Sequence, residues 1–260
     1  MTKRFYKYQG TGNDFVIFDN MDGSMPKLSK ETVAQLCHRR FGIGADGLML
    51  LEKVEDFDFK MVYYNSDGNE STMCGNGGRC LVKFAYDLGV VSDKAYFLAV
   101  DGPHLAFIKE DQVHLGMIDV YDIEQNGADF FLNTGSPHYV ESVADVEATD
   151  IVSLGKNIRF SERFAPGGTN VNYMQMLPNN SLYVRTYERG VEDETYSCGT
   201  GVTACAIASF FKGFKSPVAI RTKGGNLQVS FEPKADSVFE NVFLIGPAVK
   251  VFEGDTTVNY

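Results

Sequence analysis

The sequence predicts an α+β protein built from two related, sheet-rich halves, and three observations carry that prediction. Short alternating or β-branched runs bounded by Gly, Asp, Asn or Pro recur along the whole chain, as strands and their turns do. Helical periodicity is confined to a few places. The two clearest helices each follow a Cys-Gly pair, Cys74-Gly75-Asn76-Gly77 and Cys198-Gly199-Thr200-Gly201, and each spans fifteen positions from that cysteine to a closing glycine, Gly89 or Gly213.

The strand-like runs are Phe15 to Phe18, Phe59 to Tyr64, Tyr96 to Val100, Leu105 to Ile108, Val113 to Leu115, Leu182 to Tyr187, Val218 to Thr222, Leu227 to Phe231 and Val242 to Leu244. A first helix is expected after Ser29 as cap, carrying Val33, Leu36 and Cys37 and closed by Gly42. Another is expected around Val146 to Leu154, stopped by Gly155. After Cys74 the apolar positions Leu81, Phe84, Ala85 and Leu88 are spaced i, i+3, i+4, i+7. After Cys198 the run from Val202 to Phe211 is apolar on nearly every face, and such a helix belongs inside a structure, wrapped by sheet.

The duplication reaches upstream of both helices. A strand-like run ends in a polar corner before each cysteine, at Asn65-Ser66-Asp67-Gly68 and at Glu188-Arg189-Gly190, and earlier still Gly12-Asn13 and Thr169-Asn170 each open an apolar run. Two domains follow, divided between residues 118 and 119.

Composition narrows the function classes. Lys and Arg number 24 against 34 Asp and Glu in 260 residues, a formal charge of −10 that repels phosphate backbones and anionic membranes. No stretch approaches eighteen uninterrupted apolar residues, and the basic start at Lys3-Arg4 leads into no apolar signal core, so a cytoplasmic location is expected. The five cysteines are an odd number without a secretory signal, which reads as thiols, and neither they nor the four histidines show metal-ligand spacing. Cys37, Cys80 and Cys205 read as small buried hydrophobes.

Glycines after Cys74 and Cys198 let the backbone approach a ligand closely, and the N–H groups of a helix start attract anions. The same helix end lowers a thiol's pKa. For a lone cysteine a plain packing role is the better reading; duplication reverses that. Two thiols facing one substrate carbon could invert it, one thiolate removing a proton while the other thiol delivers one to the opposite face. A carboxylate on that carbon suits the helix ends, which would hydrogen-bond the charge as it develops.

These residues resemble the diaminopimelate epimerase family of cofactor-independent two-cysteine epimerases. The resemblance runs through Gly10-Thr11-Gly12-Asn13-Asp14-Phe15, the segment Arg40 to Gly47, Asn65, Cys74-Gly75-Asn76-Gly77, Gly135-Ser136-Pro137-His138, Asn170, Glu188-Arg189-Gly190 and Cys198-Gly199-Thr200-Gly201. It implies two pseudo-symmetric domains, each a mixed, mostly antiparallel sheet curled around a central helix, with the C-terminal segment 248–260 returning to the first domain, 1–118, and the second spanning 119–247. It implies Cys74 and Cys198 as the acid/base pair, with no pyridoxal phosphate or metal, and His138 and Glu188 beside them as groups able to take a thiol's proton. By the same resemblance the amides of Gly75, Asn76, Gly199 and Thr200 hold the reacting carboxylate. Asn13, Asn65, Asn170, Glu188 and Arg189 fix the amino groups and the distal head.

The implied partner is diaminopimelate alone, with no nucleic acid and no membrane, and a homodimer is left open. Three positions depart from the commonest family pattern: Gly47 where Gln is frequent, Ser136 where Asn precedes Pro-His, and Asn172 where Gly is frequent. Racemases of other amino acids, histidine among them, share this architecture, and a cysteine-nucleophile amidase using His138 is the alternative from another class. The Asn positions and His138, taken alone, are also ordinary turn formers.

Overall fold

The computed structural model describes residues 2–71 and 73–258, with the side chain of Asp236 outside that description, as are the last two residues of the expected returning segment. The chain divides into two compact units, Met1–Leu115 with Pro247–Tyr260, and Gly116–Gly246. The expected α+β class holds: among the described residues strands dominate and four α-helices accompany them. Among the described residues no helix is long and apolar enough to cross a membrane.

The first unit carries β1 (Thr2–Gly10), β2 (Asn13–Asn20), α1 (Lys30–Cys37), β3 (Gly47–Glu52), β4 (Phe59–Asn65), α2 (Gly75–Asp87), β5 (Lys94–Ala99), β6 (Gly102–Lys109) and β7 (Gln112–Gly116). The second carries β8 (Glu124–Asn126), β9 (Asp129–Asn133), β10 (Pro137–Ser142), α3 (Ile151–Arg159), β11 (Asn170–Leu177), β12 (Ser181–Glu188), β13 (Asp193–Thr195), α4 (Gly199–Phe210), β14 (Val218–Thr222), β15 (Gly225–Pro233) and β16 (Phe239–Pro247). A last strand, β17 (Val249–Thr257), pairs antiparallel with β1 from Thr2↔Thr257 to Gln9↔Val249.

Strand order in the first unit is β17-β1-β2-β3-β4-β5-β6-β7, with β2–β3 and β4–β5 parallel and the other pairs antiparallel. In the second it is β8-β9-β10-β11-β12-β14-β15-β16, with β10–β11 and β12–β14 parallel and the rest antiparallel. The two sequences of parallel and antiparallel joins are identical, so the repeat seen in the Cys-Gly helices extends to whole sheets. Parallel neighbours need a crossover, and each unit fills its two crossovers with helices: α1 and α2 in the first, α3 and α4 in the second.

This topology corrects one equivalence. By strand position the partner of Asn13, at the start of β2, is the Pro137-His138 start of β10, while Asn170 opens β11 and matches Gly47 on β3. The upstream pairing of Gly12-Asn13 with Thr169-Asn170 joined non-equivalent strands, because both motifs merely precede apolar runs.

Strands covered on both faces by helices should read as near-continuous apolar runs. Leu48, Leu50, Val16, Phe18 and Val62 pack with Val33, Leu36 and Cys37 of α1. On the opposite face a Cβ at Gly77 of α2 would touch Met49 and Phe15. In the second unit Val140, Met174, Leu182 and Val184 pack with α4, which packs against strands from β9 to β15, while Tyr139, Val171, Tyr173, Tyr183 and Tyr187 lie in the cluster with Ile151 of α3. The all-round apolar character of α4 is the consequence of that enclosure.

Helix ends follow local chemistry, with two corrections. Ser29 caps α1, accepting from Thr32 N, but the helix stops at Cys37; Gly42 belongs to the loop folded back on its end, where a Cβ would meet Gln35 O at 2.0 Å. The expected helix at 146–154 begins later, with Asp150 accepting from Ser153 N, and runs through Gly155 to Arg159. Gly155 is no stop. A Cβ there would lie 2.4 Å from Tyr187 Cβ, so glycine permits α3 to sit on β12. At α2, Gly89 (φ 73°) and Val90 donate back to Tyr86 and Ala85 carbonyls. At α4, Gly213 (φ 92°) and Phe214 do the same to Phe210 and Ser209, so both closing glycines sit where a left-handed helix terminus requires them.

Candidate active site

Each cysteine occupies the N-cap of the central helix of its own unit. Cys74 has φ −105° and ψ 128°, and Cys198 φ −112° and ψ 112°; neither side chain caps the helix. The first helical bonds are Gly78 N–H to Cys74 O and Val202 N–H to Cys198 O, which leaves the first-turn amides directed out of the helix end. Two such ends, with near-identical backbone, are ready anion sites beside a sulfur.

In the first unit Cys74 Sγ donates to Asn13 Oδ1 at 3.7 Å. Asn13 Nδ2 donates to Asp46 Oδ2 at 2.7 Å, which fixes the amide with its oxygen toward the thiol. Asp46 in turn accepts from Arg39, and Arg39 grips Asp14 at 2.7 and 3.0 Å. Lys7, nearly buried, stands 2.7 Å from Asp14 and also donates to Gly44 O. Burial alone would raise the Asp14 pKa; hydrogen bonds from Arg39 and Lys7 outweigh it and bring it down to about 2. Asn76 is buried and accepts from Thr11 Oγ1 at 3.5 Å. Asn65 stands exposed at the end of β4, opposite Gly47, and no side-chain hydrogen bond ties it to the Cys74 group among the described residues. The Gly47 departure has a steric reason: a Cβ would lie 2.6 Å from the Tyr63 ring.

Arg79 escaped the sequence reading. A charge on an amphipathic helix normally marks its solvated face, yet Arg79 is fully buried, with Nη2 donating to Thr11 Oγ1 at 3.2 Å and longer 3.5 Å contacts to the Gly75 and Pro247 carbonyls. It anchors Thr11, whose φ of 51° is costly for a β-branched residue, and so holds the turn that carries Asn13. Burial lowers its pKa to about 10, and its charge favours the thiolate forms of Cys80 and Cys74.

In the second unit Cys198 Sγ lies 3.5 Å from Thr200 Oγ1, and Thr134 Oγ1 donates to the Thr200 carbonyl. Asn170, buried, donates to Ser136 Oγ at 2.9 Å and Pro137 O at 3.0 Å, while its oxygen accepts from Arg189 N at 2.9 Å. Arg189 reaches Ser136 Oγ and Gly167 O, each at 3.4 Å. Ser136 therefore joins Asn170 to Arg189. Glu188 ends β12 and accepts from Thr195 Oγ1 at 2.9 Å. His138 is fully buried, 3.1 Å from Asn172; burial first and the Arg189 charge second push its pKa down to about 3. Both causes favour the neutral imidazole, whose N–H can donate a hydrogen bond. The other cysteines are inert: burial pushes Cys37 and Cys80 up to about 12 and raises Cys205 as well.

The family model described as Diaminopimelate epimerase matches residues 5–119 and 130–251. The chain belongs to the diaminopimelate epimerase family. A diaminopimelate epimerase of Flavobacterium psychrophilum is 50% identical over 253 residues, covering 96% of this chain and 98% of that protein. One from Aquifex aeolicus is 42% identical, covering 96% of each. Among solved structures, a PhzF-family phenazine biosynthesis protein of Bacillus anthracis superposes with TM-score 0.78 at 12% identity, over 99% of this chain and 100% of that one. A hydroxyproline epimerase of Agrobacterium vitis gives 0.70 at 13%, over 98% and 92%. At that distance the likeness is one of fold. As a member of the diaminopimelate epimerase family, the chain is an isomerase.

Proposed function

We propose that the chain interconverts LL- and meso-diaminopimelate by proton transfer at the α-carbon between Cys74 and Cys198. The observation that supports it most is the paired N-cap: a cysteine in the same backbone conformation at the start of the central helix in each of two units of identical strand topology. One thiolate takes the α-proton, so the C–H bond breaks and an S–H bond forms. The electron pair spreads onto the carboxylate, held by the amides of Gly75, Asn76, Gly199 and Thr200. The other thiol gives its proton to the opposite face and is left as thiolate, so each turnover exchanges the two roles.

Diaminopimelate carries an amino acid head at both ends, and the remaining polar residues suit that. Arg189 can bind a carboxylate with two N–H groups, and Glu188 can accept from an ammonium. Asn13, Asn65 and Asn170 supply amide donors and acceptors. His138, neutral, contributes a hydrogen bond beside the sulfurs. Such chemistry calls for no cofactor, and it belongs in the cytoplasm, where lysine and peptidoglycan precursors are made.

Heavy water tests the proposal. Epimerisation should place deuterium on the product's α-carbon, and Cys74→Ala and Cys198→Ala should each abolish turnover of diaminopimelate while histidine, lysine and glutamate go unracemised by the parent enzyme. Full turnover by either alanine variant would end the two-thiol mechanism, and a covalent acyl-enzyme on one cysteine would favour an amidase.

A further inference from the structure

Asn172 is fully buried on β11, and its side chain is hydrogen-bonded on every side. Thr186 Oγ1 donates to Asn172 Oδ1 at 2.9 Å, and Asn172 Nδ2 donates to the Tyr139 carbonyl at 2.8 Å. A peptide carbonyl only accepts, so Tyr139 decides which end of the amide is nitrogen. The second Nδ2 hydrogen then faces His138 Nδ1 at 3.1 Å, and that ring nitrogen must present a lone pair. A proton on Nδ1 would point at another N–H.

We infer that Asn172 is a positioning residue that locks His138 in the Nε2–H tautomer, so that His138 serves the reaction as a fixed hydrogen-bond donor. Two further observations support this. His138 Nε2 is one of three buried side-chain polar atoms without a hydrogen-bond partner among the described residues, the others being Ser142 Oγ and Tyr173 OH. A native interior rarely leaves a donor open without a use for it, and an anionic acceptor that forms during turnover, a thiolate or a carboxylate oxygen, is such a use. Asn172 is also built into the cysteine loop: a Cβ at Gly201 would lie 2.4 Å from Asn172 Oδ1 and 3.3 Å from Cys198 Cβ, so glycine at 201 makes the room for this amide. Asn172 is a position where Gly is frequent in the resembling pattern, and glycine has no side chain with which to select a tautomer.

The catalytic meaning of this lock rests on the two-thiol proposal; the lock itself does not. A long-range proton–nitrogen NMR spectrum of the enzyme without substrate, with His138 assigned by comparison with His138→Gln among the four histidines, should show protonated Nε2 and unprotonated Nδ1. In Asn172→Asp an acceptor replaces the donor, so the proton should move to Nδ1. The kcat for epimerisation should then fall by about 10²–10³-fold, the cost of losing one preorganised hydrogen-bond donor, with KM little altered. Protonated Nδ1 in the parent enzyme, or an Asp variant that keeps Nε2–H, would overturn the inference. Should the Asp variant not fold, the parent spectrum decides alone. Alanine variants of the cysteines that still turned over would sink the two-thiol proposal and leave this spectrum untouched, so the two failures are distinguishable.

Discussion

Replacing Arg79 by Met would remove a guanidinium that has no exposed surface and, among the described residues, no carboxylate in ion-pair contact. Burial lowers its pKa from 12.5 to about 10, and at about 1.4 kcal/mol per unit that is a cost of about 3 kcal/mol for keeping the charge inside. Against this stand three hydrogen bonds, one at 3.2 Å and two at the 3.5 Å limit, which at those lengths fall below the about 1.5–3 kcal/mol of a well-formed bond to a charged group and are taken as about 1 kcal/mol each. A methionine of similar length restores the packing, so stability should change by no more than about 1 kcal/mol, unlike the loss of about 3–5 kcal/mol expected when a compensated buried pair is broken. Activity should nonetheless fall. The thiolate of Cys74 loses the cation that favours it, and each pH unit of the resulting shift means about tenfold less thiolate. Urea unfolding measures the first quantity; the rate of Cys74 alkylation against pH, in a Cys198→Ala background, measures the second. An unfolding free energy lower by several kcal/mol, together with an unmoved alkylation profile, would show that Arg79 is a structural strut and refute the electrostatic account.

Gly155→Ala should cost about 2–4 kcal/mol in urea unfolding, because the new Cβ lands 2.4 Å from Tyr187 Cβ and α3 must lift off β12. Asp14 has a folded pKa of about 2, below its unfolded value, so it contributes about 2 kcal/mol that is complete above about pH 5 and lost as pH falls from 4 toward 2. Unfolding curves of the parent and Asp14→Asn should therefore converge in that window. Asp46→Ala frees the Asn13 amide to turn and should lower kcat by about 10²-fold with the fold retained in circular dichroism. Ser136→Ala removes the acceptor shared by Asn170 and Arg189 and should raise KM for diaminopimelate by about tenfold, the equivalent of one such bond.

The duplicated helices were legible because their signals are local: a cysteine, a glycine turn, a 3.6-residue period and a closing glycine all lie within fifteen positions. Nine strands were legible for the same reason. β3 hid because Leu48 to Leu51 are covered on both faces and lose the alternation that marks a strand. β17 hid because it is largely exposed and its identity comes from pairing with β1, more than two hundred residues away. Gly155 misled because a glycine that ends a helix and one that admits a tyrosine look alike in one dimension. Of the candidate site, Cys74, Cys198, Asn13, Asn170, His138 and Arg189 stand in motifs that could be picked out in the sequence. The side chains that orient them were not, since Asp46, Arg79 and Thr186 acquire their meaning only when separate strands are laid side by side.

The pairing of β17 with β1 also sets an order of events at the ribosome. Strands β1 to β7 emerge early, but the row of hydrogen bonds along β1 waits for a segment synthesised after the whole of the second unit. Until then the first unit exposes an open edge to its surroundings, while the second, contiguous in the chain, can close by itself. Nascent-chain proteolysis should find the later half protected before the earlier one, the reverse of the usual vectorial sequence, and truncations that remove β17 should leave the first half prone to association through the uncovered flank of β1.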